Sequence, residues 1–345
     1  MENESKSENT LEISDLPPEI LEKILLYLPN NDKLVARLVS KYWMSIVVSS
    51  PRLNLTLYLV NCRLEKELIS LLLQTELTFA RIVFEECEIA EVADDQTEFW
   101  SKIGKNVKEI YIKSRHTRLD LAIDKGLKAA HFPKLKSLKL DMLPLFYELS
   151  SRGQHEWIKL LLQIENFTVH YLQNREVTKD VSILMPKVKN LRIDGCKNKT
   201  IQVLFNRVIF SEVQNLTIIF VSYQNLNLQK IFRTNFDGTL LRTLFLSQFY
   251  SWIDINFNLI SEFFPNLEVL GIGIITKYQE HGSELKHKEI AEKLFKKPPL
   301  KELHFVTFRQ TDDKKFKSFV RTDKGIEETN KKFRAFDEIQ SLLQN

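Results

Sequence analysis

The residues that most often carry out chemistry in proteins do not form a catalytic or metal-binding pattern in this chain. His155 is followed by Glu156 but lacks the second histidine of a zinc-protease helix. Gly271 and Gly273 supply only two of the three glycines of a dinucleotide-binding turn, and they lie within a predicted strand. The sequence contains neither a P-loop nor a nucleophile elbow. It therefore predicts no catalytic residue, no metal ligand and no cofactor.

An apolar pattern that repeats after Pro51 predicts the elements that position any functional side chain. Each copy reads apolar-x-x-apolar-x-apolar, and successive copies begin 24 to 33 residues apart. Clear copies begin at Val107, Leu135, Val188, Val213, Leu241, Leu267 and Leu300, and weaker ones at Asn54, Phe79 and Ile164. This period resembles that of leucine-rich repeats, in which each repeat has one short strand and a returning helix. The resemblance implies an α/β solenoid with parallel strands on its concave face and helices on its convex face.

The three cysteines support the same register. Cys62, Cys87 and Cys196 each follow the last apolar position of a copy by three residues. Leucine-rich repeats place Asn or Cys at this position, where the side chain meets backbone groups of the turn. The paired spacing of a zinc site or a disulfide framework is absent. We therefore expect a structural role for the cysteines in a reducing compartment, which is the cytoplasm, the nucleus or both.

Side chains between the apolar strand positions are expected to face the concave side, because side chains alternate along a strand. The position between the second and third apolar residues is occupied by Tyr111, Lys139, Arg192 and Phe245 in four of the copies. Interfaces favour aromatic and arginine anchors. These four residues are the predicted binding surface for a protein substrate, whose acidic groups would pair with Lys139 or Arg192. An ordinary solvated face would show the same pattern at any single position.

Three short predicted helices precede the repeats. Pro17 and Pro18 suit the first turn of a helix, and Pro29 ends it. A second helix is predicted over 32–39, and a third begins after the predicted N-cap Ser40. Helices this short cannot bury all their apolar residues among themselves. The excess either binds a partner or packs on the rest of the chain.

The same stretch resembles an F-box, the helical module by which substrate receptors of cullin-type ubiquitin ligases bind a Skp-family adaptor. The resemblance rests on a leading Leu-Pro, an Ile/Leu ladder and a Val-Ser-Lys-x-Trp ending. It implies that the adaptor-binding residues are Leu16, Pro17, Ile20, Leu21, Ile24, Leu25, Leu28, Leu34, Val39 and Trp43. Tyr42 departs from the family, which more often has a basic residue there.

Composition and charge limit the classes of partner. The chain has 345 residues, of which 43% are hydrophobic, and a net charge of +4. Residues 309–334 carry nine basic and five acidic side chains, so the remainder is neutral, which argues against a nucleic-acid surface. No apolar run approaches the ~18 residues of a membrane span, and the polar residues 1–12 do not resemble a signal peptide.

These patterns predict four regions of the chain. They are a disordered tail over 1–12, an F-box over 13–50, about ten leucine-rich repeats over 51–308, and a basic segment over 309–345 with a capping helix at 329–343. The two resemblances together imply a non-catalytic substrate receptor of an SCF-type (Skp–cullin–F-box) ubiquitin ligase, joined to the cullin through the adaptor. The alternatives are an interaction scaffold that binds the adaptor without forming a ligase, and a repeat protein with an enzymatic role.

Overall fold

The structure is a computed structural model, which describes residues 13, 16–89, 95–113, 128–141, 159–170, 183–196, 198–220, 228–232, 236–249, 257–276, 283–296, 299–309 and 314–329. The predicted tail over 1–12, and the predicted capping helix after its first residue, lie outside the described residues. Within them, three helices precede a mostly parallel sheet with further helices. The predicted α/β class is confirmed.

Local sequence explains where the three N-terminal helices begin. They are α1 (Pro18–Leu26), α2 (Asn30–Ala36) and α3 (Lys41–Ser49). Pro18 lies in the first turn of α1, where its missing N–H is not needed. Ser40 caps α3, because its hydroxyl accepts a hydrogen bond from the Trp43 N–H at 3.2 Å. The predicted starts of α1 and α3 are confirmed, whereas α2 begins and ends a few residues earlier than predicted.

Short strands and helices follow through the rest of the described chain. The main sheet contains β1 (Thr56–Val60), β3 (Arg81–Glu85), β5 (Glu109–Lys113), β6 (Ser137–Leu140), β7 (Asn166–His170), β9 (Asn190–Cys196), β11 (Asn215–Phe220), β12 (Thr243–Phe249), β13 (Val269–Thr276), β14 (Glu302–Arg309), β15 (Lys314–Thr322) and β16 (Gly325–Thr329). Two small parallel pairs lie apart from it, β2 (Arg63–Leu64) with β4 (Glu88–Ile89) and β8 (Ile183–Leu184) with β10 (Val208–Ile209). The later helices are α4 (Lys66–Gln74), α5 (Asp95–Gly104), α6 (Asn198–Arg207), α7 (Leu228–Phe232), α8 (Phe257–Phe263) and α9 (Ser283–Leu294).

The strands predicted from the repeats lie side by side in chain order. From β1 to β14 all neighbours in the main sheet are parallel. The second apolar position of every copy is aligned across the sheet, through Leu57, Ile82, Ile110, Leu138, Phe167, Leu191, Leu216, Leu244, Leu270 and Leu303. The predicted strands and their register are confirmed.

Aromatic side chains fill the layer between the sheet and its helices. Trp100 on α5 lies with its ring centroid 5.9 Å from Phe84 on β3 and 5.9 Å from Phe132. Further along the chain, Phe232 on α7 meets Phe264 at 4.7 Å. All five rings are buried. These aromatic residues are therefore core, as predicted, and each links one repeat to the next.

The same backbone turn follows the strands at the cysteine positions. Asn61 and Glu86 have φ of 47° and 50°, in the left-handed region, and each directly precedes a cysteine. The Cys87 thiol donates to the Leu59 carbonyl at 2.8 Å and lies 3.4 Å from the Cys62 sulfur. Burial, followed by the contact with Cys87, raises the pKa of Cys62 to about 12, so this thiol stays protonated at neutral pH. These contacts agree with the structural role expected for both thiols.

The C-terminal end of the sheet was not predicted. Strands β15 and β16 form an antiparallel hairpin that pairs with β14, within the predicted basic segment. Phe319 of β15 packs on Phe305 of β14, with 6.0 Å between the ring centroids. The signal for the hairpin was the turn sequence Asp323-Lys324-Gly325 between two β-prone runs.

Two glycines mark where successive repeats meet. A Cβ on Gly104 would lie against the His131 carbonyl, and one on Gly238 would lie 2.5 Å from the Phe263 carbonyl. In both cases the contacted residue precedes the Phe-Pro pair of the next repeat. Backbone atoms cannot rotate away as the end of a side chain can. Only glycine therefore allows this spacing.

Replacing Gly238 by alanine is expected to destabilise the protein by about 1–3 kcal/mol, since overpacking forces the backbone apart. The measurement is thermal or urea unfolding of the full chain. Ser211→Ala, at an exposed position just before β11, is the matched control and should leave the midpoint unchanged. An equally small effect for both variants would show that the two repeats separate easily at this contact.

Candidate interaction surfaces

The three N-terminal helices expose an unusual amount of apolar surface. Among the described residues, fifteen large hydrophobic side chains are exposed, and nine of these lie between positions 13 and 44. The nine are Ile13, Ile20, Ile24, Leu26, Tyr27, Val35, Leu38, Val39 and Met44. Single exposed apolar residues are ordinary on a protein surface, but a concentration of this kind marks an interaction site. Of the two expectations for the apolar excess, the structure favours an exposed partner surface.

The predicted adaptor-binding residues fall into three groups. Pro17, Ile20, Ile24 and Val39 are exposed, and Leu16, Leu28 and Leu34 are partly buried. Leu21 and Leu25 are fully buried, and Trp43 is only 9% exposed. Those last three residues cannot contact a partner in this conformation, because they pack into the chain's own core. Their predicted role is corrected from contact to support of the exposed face.

Several exposed residues of this region were missing from the prediction. Tyr27 is 90% exposed and Leu38 is 75% exposed, which makes them the most accessible large hydrophobic residues described. Both lie in turns, Tyr27 after α1 and Leu38 before α3. A helical stripe cannot identify them, because a turn has no fixed face. Tyr42 also has a defined role, since its hydroxyl donates to the Leu16 carbonyl at 2.9 Å.

The second candidate surface is the sheet face opposite the aromatic layer. Tyr111, Lys139, Thr168 and Arg192 are aligned on the neighbouring strands β5, β6, β7 and β9. At ~4.8 Å per strand, Tyr111 and Arg192 are roughly 14 Å apart. The structure therefore brings three of the four predicted substrate residues together, although 81 positions separate the outer two in the sequence.

Phe245, the fourth predicted substrate residue, is fully buried, and its prediction is wrong. Several residues on the same sheet face are buried as well, namely Ile219, Ser247, His304 and Val306, whereas Thr217, which is aligned with Phe245 on β11, is half-buried. Strand alternation gives the face on which a residue lies, but it does not show whether that face is covered. Apolar side chains in a row gain free energy by being covered. The accessible residues of this face around Tyr111 and Lys139 therefore lie on β1 to β11.

Charges on the accessible part are paired within the chain. Lys113 meets Glu85 at 2.7 Å, and Lys139 lies 3.4 Å from Glu109. Asp194 accepts from the Arg192 Nε at 2.8 Å, and the Arg192 side chain is only 14% exposed. The expectation that Arg192 pairs with acids of a substrate is corrected, because its charge is already compensated and largely buried. The Lys139 side chain is 43% exposed, so its pairing with an acidic group of a substrate stays a prediction.

Aromatic side chains on this face differ in accessibility. The Tyr111 hydroxyl donates to an Asp141 carboxylate oxygen at 2.7 Å, which holds the ring in place. On β1, Tyr58 is 54% exposed and Val60 is 45% exposed. Tyr58 occupies the same position in its repeat as Tyr111, so the repeat pattern could have selected it. These residues make the end of the face nearest the N-terminal helices its most apolar accessible part.

A row of amide side chains also crosses this face. Asn166 donates to the Ser137 hydroxyl at 2.9 Å, Asn190 to the Asn166 amide oxygen at 2.5 Å, and Asn215 to that of Asn190 at 2.6 Å. The four residues are the first of β6, β7, β9 and β11. Their signal in the sequence was an Asn directly before the second apolar position of three copies. The row adds polar, uncharged hydrogen-bonding groups to the accessible surface.

Metal clusters and membrane-spanning helices are absent from the part of the chain that the structure describes. Among the described residues, no three His, Cys, Asp or Glu side chains lie where they could hold a metal ion together. None of the helices in this part of the chain is long and apolar enough to cross a membrane.

Comparison with known protein families assigns the three N-terminal helices to a known domain. Residues 13–55 match the F-box domain family, a range that includes α1, α2, α3 and the turn Pro51–Leu53. No curated protein matches the chain. F-box domains typically bind Skp-family adaptors, and the exposed apolar face described above is a surface of the kind such binding requires. The chain thus carries an F-box domain, placed directly before a mostly parallel α/β sheet.

Proposed function

We propose that this protein is a non-catalytic substrate receptor of an SCF-type ubiquitin ligase. The observation that carries the proposal is the exposed apolar surface on a matched F-box domain. In this role the F-box binds the Skp-family adaptor, which connects it to a cullin, and the sheet holds a protein substrate. Catalysis is then the proximity that the receptor supplies to the chemistry of another enzyme.

The sheet is proposed to be a leucine-rich-repeat solenoid. Three features support this assignment: the repeated register of parallel strands, the aromatic contacts from repeat to repeat, and the left-handed turn that recurs before Cys62 and Cys87. Repeat proteins present extended surfaces formed by equivalent positions of successive repeats. The accessible sheet face between β1 and β11 is a surface of this type.

The substrate surface is proposed to consist of Tyr58, Tyr111 and Lys139, together with the amide row. Tyrosine is among the residues that most often dominate binding energy. The charges around these residues are balanced by partners within the chain. Such a surface favours a substrate segment that is polar and aromatic over one that is strongly charged.

Replacing Tyr58, Tyr111 and Lys139 together by alanine is expected to remove substrate while leaving the adaptor bound. Each aromatic anchor contributes ~2 kcal/mol or more, so the loss should exceed tenfold. The measurement is quantitative mass spectrometry of proteins bound to wild type and variant. Leu71→Ala with Leu184→Ala, at exposed positions elsewhere, is the control. If the triple variant keeps every partner of the wild type, the substrate surface lies elsewhere.

The scaffold alternative makes a different prediction for the same purification. A ligase receptor is expected to co-purify with both the adaptor and the cullin, whereas a scaffold is expected to co-purify with the adaptor alone. Purified adaptor, cullin and receptor should also assemble into one complex in gel filtration. Ubiquitin transfer by the receptor chain alone, without these partners, would support the enzymatic alternative.

A further inference from the structure

The first strand of the main sheet, β1, lies at the edge of the sheet next to the F-box. Among the strands that the structure describes, β1 pairs with β3 alone and so forms one edge of the main sheet. The Asn61 N–H donates to the Glu85 carbonyl on the side of β3, and in a parallel ladder alternate residues direct their main-chain groups to opposite sides. Thr56, Tyr58 and Val60 therefore direct theirs away from β3. At Thr56 this free edge faces the start of α2.

Asn30, the first residue of α2, bonds both main-chain groups of Thr56. The Thr56 N–H donates to the Asn30 Oδ1 at 2.8 Å, and the Asn30 Nδ2 donates to the Thr56 carbonyl at 3.2 Å. A side-chain amide has one donor group and one acceptor group, as a peptide group has. Asn30 thus supplies Thr56 with the pair of hydrogen bonds that a further strand would supply, and this end of the free edge is closed.

Other polar contacts across the same joint are less restrictive. The Lys33 ammonium donates to the Leu53 carbonyl at 3.1 Å, and Glu22 accepts from the Ser50 hydroxyl and lies 3.4 Å from Arg52. The Arg52 side chain is 77% exposed, and exposed ion pairs hold geometry weakly. Lysine forms a single bond at the end of a flexible stem. The paired bonds of Asn30 are the rigid element among these contacts.

Apolar contacts hold the F-box against the sheet but restrict the angle between them less than directional hydrogen bonds do. Trp43 and Val47 of α3 belong to the same buried cluster as Leu53 and Leu55 at the start of the sheet. Hydrophobic burial is non-directional, so packing of this kind permits small rotations. Two hydrogen bonds to one residue fix both direction and register.

We infer that Asn30 is the positioning residue that fixes the orientation of the F-box relative to the sheet. Its meaning for ubiquitin transfer rests on the proposed receptor function. If an adaptor holds the F-box, rotation at the joint displaces everything on the sheet. Strand β9 lies about 24 Å from β1, so a swing of about 20° moves its residues by about 8 Å. Misplacement on this scale costs rate in a reaction that depends on proximity.

The test is the spread of distances between the two parts of the intact chain. Spin labels on a ketone-bearing amino acid at Met44 and Leu71 avoid the native cysteines, and both positions are exposed, one on α3 and one on α4. Pulsed electron paramagnetic resonance then gives the distribution of distances between the two spin labels, at a temperature far below that of unfolding. The wild type should show one narrow peak, and Asn30→Ala should at least double its width.

Two variants separate positioning from a general loss of stability. Asn31→Ala alters the exposed neighbouring asparagine of the same helix and should keep the narrow peak. Asn30→Asp keeps the acceptor for the Thr56 N–H and loses the donor, so an intermediate width is expected. The inference is overturned if Asn30→Ala and Asn30→Asp both match Asn31→Ala in width.

Adaptor titration of the unlabelled chains keeps this inference distinct from the proposed function. Binding of a purified Skp-family adaptor should change less than threefold between wild type and Asn30→Ala, because Asn30 is bonded to the chain itself. A wild type that binds no adaptor would defeat the receptor proposal, while the distance measurement would still decide the role of Asn30. A much larger loss of adaptor binding would place Asn30 in the adaptor contact and overturn its assignment as a positioning residue.

Discussion

Replacing Ile24 and Val39 together by lysine is expected to weaken binding of the Skp-family adaptor by about 10²- to 10⁴-fold. Both side chains are exposed, by 37% and 62%, on the matched F-box domain. An aliphatic side chain that becomes buried contributes about 1.5–3 kcal/mol, and a lysine in its place adds the cost of burying a charge. The affinity can be measured by calorimetry with purified adaptor.

The control for this variant is Leu71→Lys. Leu71 is 64% exposed on α4, outside the F-box, so the change has the same chemistry at a comparable exposure. It should leave adaptor binding intact. Unfolding curves of all three proteins should coincide within about 0.5 kcal/mol, since surface substitutions rarely cost more. Unchanged affinity of the double lysine variant would show that this face does not bind the adaptor.

The choice of Ile24 and Val39 depends on information that only the structure supplies. The sequence pattern favoured Leu21, Leu25 and Ile24 equally, yet Leu21 and Leu25 are fully buried. Lysine at either buried position would disrupt the chain's own core, so binding would be lost because the domain unfolds and not because a contact with the adaptor is removed. Apolar residues cover most sides of α1, so periodicity alone could not separate the side that packs inward from the side that faces out.

The sheet was predicted more completely than the surfaces. Strand positions and register follow from the alternation of core side chains, which a one-residue shift would reverse. This is why Leu138, Leu216 and Leu270 are aligned as predicted. Exposure depends on what covers a face, and no local pattern reports it. Tyr111 and Phe245 occupy equivalent positions, yet only Tyr111 remains partly accessible.

The joint between the F-box and the sheet is short, because α3 ends at Ser49 and β1 begins at Thr56. A connection of this length restricts the orientation of the two parts, and the polar contacts across it act in the same direction. The role of Asn30 was not predictable, because an asparagine at the start of a helix ordinarily suggests a cap. Its partner, Thr56, lies 26 positions further along the chain.

Ending the chain after Leu240 is expected to leave a fragment without a cooperative folded state. The cut removes β12 to β16 and the partners of the last remaining aromatic residues. Phe232 loses its contacts with Phe263 at 6.1 Å and Phe264 at 4.7 Å. Uncovering the Phe232 ring costs about 1.5–3 kcal/mol, a substantial part of the 5–15 kcal/mol that stabilises a typical protein.

The cut also leaves an unpaired strand at the edge of the sheet. Strand β11 pairs with β12 through residues 215–219, so the cut leaves one side of a long, apolar strand unpaired. Exposed edges of this kind pair with other chains. The fragment 1–240 should therefore aggregate, bind a hydrophobic dye and show a broad unfolding transition in calorimetry, where the full chain shows a sharp one. A soluble fragment with one sharp transition near that of the full chain would show instead that the sheet consists of two independent units, with a boundary near residue 240.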